Sequence, residues 1–169
     1  EVDEMSVDEA VALLTARVSA QVAEPQPFLA LVDRLGRWPL LLELAAGVLH
    51  HHVARRASME DALHFLNEAL DEEGVVAFDR RNAKQRHQAV ARTVAASINL
   101  LSDDEREQFR SLAIFPEDVE VPLDAVATLL GLSSHQSTRL VTALADLSLL
   151  KLNLETSTVR LHDVMRSYL

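Results

Sequence analysis

Apolar side chains recur every three or four positions through most of the chain, and serines mark where several of the periodic runs begin. Ser6-Val7-Asp8-Glu9 reads as a capping box, and Val11, Leu14, Val18 and Val22 continue one apolar face, so a helix is predicted over 7–22. After the prolines at 25 and 27, a second helix carries Phe28, Leu31, Val32 and Leu35 and breaks at Gly36. A third starts at Pro39, whose fixed φ and missing N–H suit a first turn. From Leu40 to Val48 it is apolar nearly all round, the pattern of a helix buried at the middle of a bundle. Ser58-Met59-Glu60-Asp61 opens a fourth, with Ala62, Leu63, Leu66 and Leu70 inward and Gly74 as its expected C-cap.

The most polar stretch, 79–86, is the expected junction, dividing a helical bundle over 1–84 from a second domain over 85–169. In that second domain His87 to Leu101 forms an amphipathic helix through Val90, Val94 and Ile98. A capping box at Ser102 to Glu105 starts a helix through Phe109, Leu112 and Ala113, and the segment 115–122 is an extended link between prolines. A short helix over 123–130 stops at Gly131, and Ser133 to Gln136 caps another with Leu140, Leu144 and Leu147 on one side. Then the period changes to two. Leu150, Leu152 and Leu154 alternate with Lys151 and Asn153, a turn comes at 155–157, and Thr158 to Leu161 returns. The fold expected is mainly α: a helical bundle followed by a winged-helix domain with a small β-hairpin.

Composition supports this reading. Four glycines and five prolines in 169 residues, among long alanine- and leucine-rich stretches, suit helices. There is no cysteine, which excludes disulfides and thiolate chemistry and fits a reducing, cytoplasmic setting. No apolar run reaches the ~18 residues of a membrane span. Because the sequence starts at Glu1 and the pattern at its end is cut short, a piece of a longer protein is expected.

Sixteen basic against 26 acidic side chains leave a net charge of −10, and both halves are acidic, with 9 basic to 15 acidic over 1–86 and 7 to 11 over 87–169. Such a balance repels phosphate backbones. The helix in the recognition position offers His135, Gln136 and Arg139 against Asp146, with Lys151 in the hairpin, a thin footprint for DNA. The triple histidine His50-His51-His52 resembles a metal site, but adjacent imidazoles on a helix diverge by about 100°, and a helix end turning to solvent is expected there. No catalytic triad, paired-carboxylate arrangement or phosphate-cradling loop can be nominated, so no enzyme activity is expected of this stretch.

Three segments carry a resemblance. LGRWPLLLELAAG (35–47) is similar to a G-L-P-L-A-L motif, FRSLAIFPEDVEVP (109–122) to a phenylalanine-proline segment, and VRLHDVMRSYL (159–169) to an M-H-D motif. In this order they resemble the ARC1 and winged-helix (ARC2) part of NB-ARC proteins, the STAND family of nucleotide-dependent signalling switches. The resemblance implies that His162 bonds the β-phosphate of ADP held by an upstream P-loop domain. Pro39 would then pack on the base, with Leu40 in the next helical turn, and Asp163 would cap the helix beyond it. Arg37, Trp38 and Leu161 depart from the motif glycine, leucine and methionine. For the parent protein the resemblance implies ADP or ATP with Mg as ligand, a C-terminal repeat sensor and oligomerisation on activation, with no cofactor held by this part alone. A winged-helix DNA-binding module and a plain interaction scaffold are the competing expectations.

Overall fold

The computed structural model describes residues 5–18, 26–72, 83–116, 119–162 and 165. The protein is mainly α-helical with a small three-stranded antiparallel sheet near the C-terminus, and it divides into two compact units, Glu1–Ser97 and Ile98–Leu169. The sequence-based boundary at 84/85 falls at the start of a helix; the units part at that helix's other end.

In the first unit the helices are α1 (Val7–Thr15), α2 (Gln26–Arg34), α3 (Pro39–Ala54), α4 (Met59–Glu72) and α5 (Ala83–Ile98). The sequence leaves α3 without a polar face, and the fold accommodates that by packing α1 and α4 against it. Leu41, Leu42, Leu44, Ala45, Val48 and Leu49 on α3 are completely buried. Facing them, Ala10 and Leu14 of α1 and Leu66 and Leu70 of α4 are sealed as well. Arg34 at the end of α2 reaches α4, with its guanidinium 2.5 Å from the Asp71 carboxylate and 3.2 Å from Asn67 Oδ1.

α1 is shorter than its apolar pattern predicts, ending at Thr15 rather than near Val22. The Thr15 hydroxyl donates to the Val11 carbonyl at 2.8 Å, and the last turn tightens to Ala16 N–H on Leu13 O and Val18 N–H on Thr15 O. The Arg17 carbonyl, just beyond α1, accepts from His50 Nδ1 of α3 at 3.0 Å. Val18 is still buried, 3% exposed, so the apolar signal is correct about burial and wrong about the helix. Val22 and the expected cap Gly74 lie outside the described residues. α5 begins at Ala83, four residues before the expected start, and ends at Ile98 rather than Leu101. Its buried hydroxyls are satisfied on their own helix, Thr93 donating to Ala89 O at 2.9 Å and Ser97 to Thr93 O at 3.4 Å.

The second unit runs in the order α6 (Asp103–Ser111), a 3-10 turn over Leu112–Ile114, β1 (Val121–Pro122), α7 (Leu123–Leu130), α8 (Ser134–Asp146), β2 (Lys151–Asn153) and β3 (Thr158–Arg160). The strands lie β1-β3-β2, Val121 opposite Val159 and Lys151 opposite Arg160. This is a winged-helix topology. The hairpin is as expected, but β1 lies in the segment that the sequence presents as an extended link. Its strand identity comes only from pairing with β3, and Pro122 is tolerated because β1 is an edge. Leu154 also departs from the alternation: it is 72% exposed at the start of the wing turn, where the Asn153 side chain accepts from the Glu155 and Thr156 N–H groups.

Capping explains the helix starts. Ser6, Ser102 and Ser133 each accept from the backbone N–H three residues on, while Glu9, Glu105 and Gln136 reach back to the serine N–H, making three reciprocal capping boxes. The helix ends share a device too. Gly36, Arg56, Gly131 and Ser148 all take positive φ just after α2, α3, α7 and α8. In each case the next residue's N–H bonds back five positions: Arg37 to Val32, Ala57 to His52, Leu132 to Ala127 and Leu149 to Leu144. Two of those positions are glycine, which takes the left-handed region without strain; Arg56, exposed at φ 68°, is not. Arg56→Gly is expected to stabilise the first unit by about 0.5–1 kcal/mol, read as a higher urea midpoint at unchanged slope.

Candidate functional site

Of the nominated residues, Pro39 and Leu40 lie on a helix and His162 just past a strand. β3 is the central strand, and its alternation puts Val159 (1% exposed) and Leu161 (5%) into the core and Arg160 outward. His162 continues that alternation on the side of Arg160 and is half-buried. Its carbonyl accepts from Met165 N–H at 2.9 Å, and the Met165 side chain is buried at 1% exposure. The imidazole thus stands just past the strand, between buried Leu161 and buried Met165 in the sequence. Asp163, the expected cap, lies outside the described residues.

Pro39 and Leu40 open α3 in the first unit. Trp38 is the N-cap, extended at φ −89° and ψ 121°, with no side-chain capping bond; its carbonyl accepts the first helical bond from Leu42 N–H. Leu40 is 8% exposed, so its side chain belongs to the core, whereas Pro39 is half-buried and keeps accessible ring surface. Arg37 stands at φ 53°, in the left-handed region, directly after Gly36.

On α8 the outward residues are Ser134, His135, Gln136, Thr138, Arg139 and Thr142. Gln136 is committed to the helix cap, its Oε1 accepting from both the Ser133 N–H and hydroxyl at 3.0 and 2.8 Å. An amide held this way is not offered to a base edge. Asp146 is half-buried, and Lys151 and Arg160 face each other across the hairpin.

Sequence reasoning missed two features. One is a cleft of about 330 Å³ lined by Pro122, Asp124, Ser134, Ser137, Thr138 and Thr156, where the starts of α7 and α8 meet the wing turn. Serine and threonine are too common for that convergence to be visible before β1 and β3 pair. The other is at the triple histidine, whose rings are half-buried rather than turned to solvent. His52 packs on Phe65 of α4 with ring centroids 4.2 Å apart, and the Arg55 guanidinium lies against the His51 ring. Burial, with the Arg55 charge adding to it, pushes the His52 pKa below its usual value. Phe65 lies one position off the buried stripe of α4, which was the available signal. Among the described residues, no group of three or more histidine or carboxylate side chains is placed to hold a metal ion, and no helix is long and apolar enough to cross a membrane. No family model matches the chain, and no curated protein matches it.

Proposed function

We propose that this chain is the regulatory helical and winged-helix part of an NB-ARC or STAND-like nucleotide switch, in which His162 holds the ADP bound by an upstream P-loop domain. The observation that carries the reading is the location of His162. It lies two residues past the end of the central strand of a winged helix, half-buried, with buried Leu161 before it and buried Met165 after it. A neutral imidazole N–H on a phosphate oxygen makes a charge-assisted bond, and a donor fixed on a strand end loses little entropy in making it.

Two further features support it. The three motif-like segments occur in the family's order, and Arg37 takes the backbone conformation that glycine adopts most readily at the position of the motif glycine. Half-buried Pro39 has the free surface to meet a base, while Leu40 supports the helix behind it. On this reading hydrolysis belongs to the upstream domain. The present part contributes contacts that differ between ADP and ATP, and that difference biases a closed against an open arrangement. Release would lead to oligomerisation, prompted by a C-terminal sensor.

The test is the nucleotide content of the parent chain, purified gently, denatured and resolved by chromatography. Near-stoichiometric ADP is expected. Its absence would overturn the reading, and steeply salt-dependent duplex binding would replace it with the DNA-binding one.

A further inference from the structure

We propose that the His52–Phe65 contact is an acid-sensitive latch on the seam between α3 and α4, closed while the imidazole is neutral and loosened when it is protonated. Nothing in the nucleotide reading requires it. The imidazole lies against the Phe65 ring at 4.2 Å between centroids, and its Nε2 is buried with no hydrogen-bond partner. A neutral ring tolerates that position when Nε2 is the unprotonated nitrogen. Protonation would place an N–H and a positive charge where no described group accepts.

Among the described residues, the surroundings do not offset the charge. On α3, Arg55 lies one turn further on and His51 meets His52 edge-on at 5.8 Å, while Glu43 is more than two turns earlier. From α4 the facing group is Phe65. The charged groups of that helix are exposed and in part already engaged: Glu68 pairs with His64 at 3.3 Å, Asp61 accepts from the Ser58 hydroxyl at 2.6 Å, Asp71 holds Arg34, and Glu60 and Glu72 face solvent. On α1, Asp8 and Glu9 are exposed in its first turn, and the Arg17 carbonyl just beyond that helix is taken by His50.

The lowered folded pKa sets the sign. The unfolded chain takes up the proton near pH 6.5, before the folded one does. Stability from His52 is therefore complete above about pH 6.5 and is lost as pH falls from there towards the depressed folded value, the unfolding constant rising by at most ~10-fold per pH unit.

The experiment is urea unfolding of the whole chain at pH 7.5 and 5.5, monitored through protected amides in α3 and α4, for the parent and for His52→Leu. The other histidines titrate in both proteins, so the difference isolates His52. A several-fold larger rise of the unfolding constant in the parent is expected. Equal pH dependence in the two would overturn the latch. Should His52→Leu fail to fold, the His52 imidazole is titrated by NMR in the parent: a pKa below 6.5 sustains the proposal, and one at or above 6.5 removes it.

Discussion

Phe109→Ala is expected to unfold the winged-helix unit or leave it marginal, at a cost of about 3–5 kcal/mol. Phe109 is 1% exposed, on a helix that packs against α7, and it is among the largest side chains fully enclosed in the protein. Truncation removes a whole ring from contact and leaves a cavity that short helices and two- or three-residue strands can close only by shifting together. A domain holds about 5–15 kcal/mol in total, so one substitution takes a large share. Ile114 is the control. It lies in the same segment and is equally apolar, yet it is 69% exposed, and Ile114→Ala should stay within about 0.5 kcal/mol. Urea unfolding monitored by protected amides of α8 separates the two. Comparable losses would mean that α6 does not anchor this unit.

On the proposed nucleotide reading, His162→Ala is expected to speed ADP loss from the parent chain by about 10–100-fold, the equivalent of one hydrogen bond to a charged group at about 1.5–3 kcal/mol. The change should be read in the dissociation rate more than in association, because the bond forms after encounter. Core contacts beside it are made by Leu161 and Met165, so the variant should fold, and circular dichroism checks this. The second comparison is His162→Gln, which keeps an N–H donor on a side chain of similar reach and should recover part of the retention. An ADP dissociation rate unchanged in His162→Ala would remove His162 from the nucleotide reading altogether.

Much of this architecture is local in origin. Serine followed three residues later by Glu or Gln satisfies orphan N–H groups within a single turn, so the starts at Ser6, Ser102 and Ser133 were legible from a few letters. The all-apolar run of α3 required a central position, and its neighbours supplied one. The period-two stretch after Leu150 required a hairpin, and Gly36 and Gly131 announced two helix ends because glycine suits a positive φ. The placement of His162 just past a strand was likewise contained in the alternation of Val159 and Leu161.

The features that the tertiary structure alone decided involve partners distant in sequence. α3 and α8 end at Arg56 and Ser148 in the same left-handed turn that glycine makes elsewhere, and no residue type announces it there. The back-bonds to His52 and Leu144, together with the packing of the segments beyond each turn, outweigh the local preference. β1 is two residues long and contains a proline; it becomes a strand only because β3 is beside it. α1 stops early, where a carbonyl just beyond it finds His50, thirty-three residues away. His52 acquires its burial from Phe65 on another helix. Sequence patterns determine where each segment places its apolar face and how it starts. Which backbone group or ring meets which is determined when those faces are buried together, because only then do distant partners come within bonding distance.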